Sequence, residues 1–324
     1  MKLFVTRAIA PEALQLLQDA GIEVTQWQEQ RELEPEELIG HCMNHHALLV
    51  AGKSKIDRQF LSICHHLKVI ALHSVGYDNV DVPAATEHGI PIGNTPGVLS
   101  AATAETAFLL MMAVSRKAFY MHRRILNGEW GFTAPMDNLG ISLQGKTLGI
   151  FGLGKIGMEM ARKSIAVYDM KVIYHNRHRN EEAEQTYGAE YVSFEELLSR
   201  SDVLSVHAGL SSETKEKFNT DAFRKMKKEA IFINAARGGI HNEKDLVTAL
   251  NNGLIWGAGL DVTNPEPMQP DNPLLTMPTV AVLPHIGSAT VETRTAMAEI
   301  AARNIIAGLR GERLPHAVNP EVYN

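Results

Sequence analysis

Apolar positions fall along this chain in short β-branched and aliphatic runs, each followed by a longer stretch in which they recur at helical spacing. The short runs read as strands and the longer stretches as helices. Their alternation from end to end is the signature of an α/β architecture. In the first part of the chain, strands are predicted at residues 3–6, 23–26, 47–50 and 69–72. Pro11 and Pro35 stand early in the intervening helices, where a missing backbone N–H is tolerated. This segment reads as a small, flavodoxin-like, doubly wound domain.

A helix over residues 100–116 follows, rich in Ala, Leu and Met around most of its circumference, with Glu105 expected to be buried. It is a candidate hinge or subunit interface. Residues 127–145 hold four glycines and one proline and read as an irregular arm, with Trp130 expected in the core. A second series then predicts strands at 147–151, 171–174, 190–192, 203–206, 230–233, 257–260 and 280–283, enough for a full dinucleotide-binding sheet. The last helix, 290–310, has little left to pack on there and is expected to return to the first domain. The expected fold is therefore two doubly wound parallel-sheet domains. A Rossmann coenzyme domain at 99–287 is inserted into a discontinuous substrate-binding domain at 1–98 and 288–324.

Composition narrows the function classes. The chain has 324 residues, 45% apolar and 21% charged, and a net charge of −6 that argues against a nucleic-acid surface. No apolar stretch approaches the length of a membrane span, and no N-terminal targeting segment is seen, so a cytoplasmic protein is expected. Cys42 and Cys64 make no disulfide framework, which suits a reducing compartment. The run His41-Cys42-Met43-Asn44-His45-His46 has metal-ligand residue types, but no carboxylate motif accompanies it and no metal site is expected.

The strand at 147–151 runs directly into Gly152-Leu153-Gly154-Lys155-Ile156-Gly157 and then a helix, the context that a dinucleotide fingerprint requires. Gly152 permits the tight turn, Gly154 lets the backbone approach a pyrophosphate, and Gly157 lets the helix pack close to the strand. The amides of Lys155 and Ile156 open that helix. The next strand ends in His175-Asn176-Arg177-His178-Arg179, without the acid that would hold a ribose 2′-hydroxyl. Arg177 and Arg179, beside Asn176, can pair with a 2′-phosphate instead, so NADP(H) is expected in preference to NAD(H).

Three further segments place polar groups at strand C-terminal ends, where open α/β sheets bind ligands. They are Asn234-Ala235-Ala236-Arg237-Gly238, Asp261-Val262-Thr263-Asn264-Pro265-Glu266-Pro267 and Pro284-His285-Ile286-Gly287-Ser288. Reducing a keto acid by hydride needs an anion clamp, a proton donor and a group that holds the donor charged. Arg237, His285 and Glu266 supply those three chemical types.

These stretches, with Ser74-Val75-Gly76-Tyr77-Asp78-Asn79-Val80-Asp81, resemble the D-isomer-specific 2-hydroxyacid dehydrogenases over essentially the whole chain, and most closely their glyoxylate/hydroxypyruvate reductase branch. The resemblance implies that Arg237 holds the substrate carboxylate and keto oxygen, that His285 is the general acid, and that Glu266 is its partner. It also implies Ala235, Ala236, Asp261 and Gly287 beside the cofactor, and Ala51, Val75 and Gly76 beside the substrate, which would sit in a cleft between the domains. A carboxylate beside an imidazole favours the imidazolium form. Two departures stand out. The run His207-Ala208-Gly209-Leu210 lacks a proline often found near the adenine, and Pro135-Met136-Asp137-Asn138 occupies a stretch where some relatives carry an aromatic.

The expected activity is reduction of glyoxylate or hydroxypyruvate by a homodimer. Within the same family, 2-ketogluconate reductase and phosphoglycerate dehydrogenase are alternatives. The phosphoglycerate reading is weakened because Ala51 and His73 stand where cations would be wanted, leaving Lys53 and Lys55. Outside catalysis, a nicotinamide-sensing corepressor would share the motifs, but almost no sequence lies beyond the predicted core.

Overall fold

Period-two alternation within each short run sends successive side chains to opposite faces of a strand, and here both faces are covered. In the first strand Leu3 and Val5 join one apolar cluster while Phe4 joins another on the far side. The strands at 47–50 and 69–72 divide their residues in the same way. In a computed structural model that describes residues 1–324, the chain divides into two compact units, Met1–Leu99 with Ala289–Asn324, and Ser100–Ser288.

The first unit holds strands β1 (Lys2–Val5), β2 (Glu23–Gln26), β3 (Ala47–Val50), β4 (Val69–Leu72) and β5 (Ile92–Gly93). They pair in parallel in the order β2-β1-β3-β4-β5. Helices α1 (Pro11–Asp19), α2 (Pro35–Cys42), α3 (Arg58–Ile63) and α4 (Val82–Glu87) connect them. The two-residue β5 is too short to leave a periodic signal in the sequence. The helix Val291–Leu309 belongs to this unit and lays Ala298, Ala301, Ala302 and Ile305 in the cluster that contains Leu3 and Val5.

The second unit opens with α5 (Ser100–Ser115) and α6 (Ala118–Leu126), followed by β6 (Thr147–Phe151), α7 (Lys155–Tyr168), β7 (Lys171–His175), α8 (Glu181–Tyr187) and β8 (Glu190–Tyr191). It continues with α9 (Phe194–Arg200), β9 (Val203–Val206), α10 (Thr220–Lys225), β10 (Ile231–Asn234), α11 (Glu243–Asn251), β11 (Gly257–Leu260) and β12 (Val280–Val282). The parallel order is β12-β11-β10-β9-β6-β7-β8, so the connection reverses direction between β6 and β9. Ligands bind outside the strand ends at such a reversal. The strand predicted at 230–233 lies one residue further on, because Asn234 still pairs with Val206 and Leu260 in the ladder. Ladder pairing, not side-chain polarity, sets that end.

Two expectations about burial are corrected. Glu105 lies on an exposed face of α5, where its carboxylate pairs with Lys163 at 3.3 Å. Trp130 is 77% exposed and is not a core residue. It belongs to an arm with no regular secondary structure to bury it. No helix is long and apolar enough to cross a membrane. Within the His41–His46 run, His41 and His45 both pack on Phe4, Cys42 is buried, and His46 Nδ1 accepts the Lys2 amide.

Candidate active site

The glycine turn after β6 is set by close approach. Gly152 has φ +94°, and a Cβ there would lie 2.5 Å from the backbone nitrogen of Ala208, which cannot yield. A Cβ on Gly157 would lie 2.9 Å from the carbonyl oxygen of Gly152, so α7 packs directly on the turn. Gly154, by contrast, faces open space. It is the N-cap of the fourteen-residue α7, and no side chain caps that helix. The first-turn amides, including those of Lys155 and Ile156, are therefore presented to whatever fills the space beside Gly154. A pyrophosphate fits those donors and the positive end of the helix.

The loop after β7 is tied to this turn. Asn176 Oδ1 accepts the Leu153 amide at 2.6 Å, and Asn180 Nδ2 donates to the Leu153 carbonyl at 2.9 Å. The two arginines predicted to serve alike do not. Arg179 is engaged by Glu184 through 2.7 and 3.0 Å hydrogen bonds, and Glu184 also accepts the Tyr174 hydroxyl. Arg177 is exposed and has no protein partner. His207, the first residue of the run that lacks the proline, stands at the end of β9 behind Gly152. Its Nε2 meets Ser205 Oγ at 2.8 Å, and burial pushes the imidazole down to about 4.

The loops after the adjacent strands β10, β11 and β12 carry the remaining polar residues. Ala235 is buried, and the Ala236 amide donates to Asn234 Oδ1. Arg237 follows in extended backbone and donates from Nη1 to the Ala236 carbonyl at 2.8 Å. A Cβ on Gly238 would fall 1.9 Å from the Thr263 carbonyl oxygen, so only glycine lets these two loops touch. After β11, Asp261 is buried, and its two oxygens accept the amides of Ile286 and Gly287 at 2.8 Å each. Burial pushes this carboxyl upward against those amide bonds.

His285 stands in the left-handed region, with φ +56°. That conformation is uncommon for a non-glycine residue, and the two amide bonds immediately after it hold it in place. Its Nδ1 lies 2.6 Å from Glu266 Oε1, while Nε2 has no protein partner. The pair is partly open: the imidazole is 42% exposed and the carboxylate 23%. The carboxylate fixes the ring and leaves Nε2 to carry a proton outward.

The other predicted substrate contacts lie in the first unit, at the ends of β3 and β4. The Val75 and Gly76 amides donate to no protein group. Their carbonyls are held by Asn94 Nδ2 at 2.9 Å and by the Ser74 hydroxyl at 2.7 Å. Ala51 is different, since Thr6 Oγ1 accepts its amide and donates to its carbonyl. Its amide is not available to a substrate. Sequence reading also missed Arg7, whose guanidinium lies against Gly52 and pairs with Glu32. Their wide separation in the chain hid that contact. His73 packs on the carbonyl of Arg294, and burial lowers its pKa.

A switch-point glycine turn, an uncapped helix and a carboxylate-held imidazole, all at strand C-terminal ends of one parallel sheet, define a nicotinamide-dependent oxidoreductase. A family profile for the D-isomer specific 2-hydroxyacid dehydrogenase NAD-binding domain matches residues 108–287. The chain is 41% identical to a glyoxylate reductase of Pyrococcus furiosus, over 99% of this chain and 96% of that one. Among solved structures, a glyoxylate reductase from Paecilomyes thermophila has a TM-score of 0.87 at 35% identity, covering 99% of each chain. An NADPH-dependent glyoxylate/hydroxypyruvate reductase from Sinorhizobium meliloti, in complex with NADP and malonate, has a TM-score of 0.83 at 30% identity, covering 98% of this chain and 97% of that one. The chain belongs to the D-isomer-specific 2-hydroxyacid dehydrogenase family, and is an NAD(P)-dependent dehydrogenase.

Proposed function

We propose that this dehydrogenase reduces small 2-keto acids, glyoxylate and hydroxypyruvate, to the corresponding 2-hydroxy acids, with NADPH preferred over NADH. The observation that carries the reading is the 2.6 Å contact of His285 with Glu266, which leaves Nε2 unpartnered beside the strands that end the coenzyme sheet. The glyoxylate reductases among its relatives support the substrate class.

A bound nicotinamide supplies the hydride that reaches the carbonyl carbon. Arg237 pairs its guanidinium with the substrate carboxylate and keto oxygen, which fixes the carbonyl for attack. His285 gives its Nε2 proton to the oxygen as negative charge develops there, and Glu266 stabilises the imidazolium before transfer. The net change is keto acid, reduced cofactor and one proton to hydroxy acid and oxidised cofactor. Asp261 and Gly287, with Ala235 and Ala236, line the nicotinamide side. The glycine turn, with Lys155 and Ile156, receives the pyrophosphate, and the unpaired Arg177 receives a 2′-phosphate.

A panel of keto acids tested with NADH and NADPH decides the matter. Glyoxylate or hydroxypyruvate should have the highest kcat/KM, pyruvate a lower one and phenylpyruvate the lowest. One methylene of misfit is worth only about 1–3 kcal/mol. Lys53, in the loop after β3, supports a second reading, in which extended sugar acids are the substrates. A preference for 2-ketogluconate of more than tenfold would establish that reading instead.

A homodimer is supported by apolar side chains left open on α6 and the arm: Leu126 is 72% exposed, Trp130 77% and Phe132 95%. Sedimentation should give a dimer that Leu126→Glu dissociates. The two buried, unbridged cysteines support residence in a reducing cytoplasm.

A further inference from the structure

Asn234 is the last residue of β10 and is completely buried. The Ala236 amide donates to its Oδ1 at 3.0 Å, which fixes the orientation of the carboxamide. The two N–H bonds of Nδ2 then point at the Arg237 carbonyl and at Nδ1 of His241, both at 3.0 Å. Because an amide NH2 only donates, Nδ1 of His241 must be an unprotonated acceptor. The ring proton therefore sits on Nε2, which is buried without a partner. An apolar side chain would avoid that unsatisfied N–H. The imidazole offers what no apolar side chain can, an acceptor for the second Asn234 proton.

We propose that His241 is a positioning residue for the substrate: its Nδ1 aligns the Asn234 carboxamide, which in turn holds the main chain of Arg237. The inference rests on the reading of Arg237 as the substrate anchor. Arg237 is gripped through its own carbonyl, which also accepts the Ile240 amide at 3.2 Å. The His241 amide closes the loop onto the Gly238 carbonyl at 3.2 Å. Burial pushes the His241 imidazole down to about 4, so the acceptor persists at neutral pH. No contact of His241 with substrate is required.

The test compares His241→Leu, which removes the acceptor, with His241→Asn, whose Oδ1 can replace Nδ1. His241→Leu should lower kcat/KM for glyoxylate by roughly ten- to a hundredfold, as for a misplaced binding group. The Kd for NADPH should stay within about twofold, and His241→Asn should recover most of the loss. In an Arg237→Ala background, His241→Leu should cost nothing further, because both act through one group. Equal loss in the Leu and Asn variants, or full activity in the Leu variant, overturns the inference while Arg237 remains the anchor. Full activity in Arg237→Ala overturns the anchor and this inference together. Should the Leu variant fail to fold, nitrogen NMR of histidine-labelled wild-type protein still decides. An Nδ1–H tautomer at His241 would overturn the proposal, and an Nε2–H tautomer is the expected result.

Discussion

Asp261 Oδ2 accepts the Gly287 amide at 2.8 Å, so a carboxylate at the end of one strand holds the loop after the next. A Cβ on Gly287 would lie 2.9 Å from that same oxygen, so the contact also explains the glycine. Asp261→Ala should leave two amides without their acceptor, at a cost of about 1–3 kcal/mol each where they are fully buried. It should also release His285 from its left-handed backbone. The expected outcome is a lower urea midpoint together with a kcat reduced roughly tenfold or more. Lost stability with an unchanged kcat would confine Asp261 to a structural role.

For the acid pair, His285→Gln should lower kcat by about 10²–10⁴-fold, the usual range for general acid catalysis. Glu266→Gln replaces the charge-assisted 2.6 Å contact to Nδ1 with a neutral one and should lower kcat by a smaller factor than His285→Gln. An unchanged kcat would show that Glu266 does not hold the ring.

Cofactor choice separates the two arginines. Arg177→Ala should weaken kcat/KM for NADPH by roughly 1.5–3 kcal/mol, as for a lost charge-assisted bond, with little change for NADH. Arg179 is held by Glu184, and its replacement should matter much less. Equal effects of the two substitutions would contradict this assignment, as would an enzyme that prefers NADH from the outset.

Stability should fall on acidification partly through His241. Its folded-state value is about 4, against 6.5 for an unperturbed imidazole. Between those values the unfolded chain binds a proton that the folded chain does not, so stability rises with pH across the window and is lost below it. The contribution is up to about 3 kcal/mol. Melting temperatures measured from pH 7 to pH 4.5 should fall less steeply for His241→Asn than for wild type. Parallel curves would mean that His241 is not buried in its neutral form.

Local periodicity and sterics determined much of this protein from sequence alone. The strand runs at 47–50, 147–151 and 203–206 coincide with β3, β6 and β9 because a doubly covered parallel strand must be apolar at successive positions. The glycine turn was legible for a similar reason, since positive φ and close backbone approach demand glycine wherever they occur. His285, Glu266 and Arg237 could be nominated by chemical type, because strand ends are where such a sheet presents polar groups.

Only the tertiary structure decided which polar groups are spoken for. It paired Arg179 with Glu184 and left Arg177 open, gave the Ala51 amide to Thr6, and exposed Trp130 and Glu105. It also joined Asn234 to His241 within a single buried carboxamide network. Hydrogen bonds and burial depend on distances of a few ångströms between groups whose separation along the chain carries no such information. Periodicity reports the face a residue occupies, whereas a partner is settled only when the sheets and loops have packed.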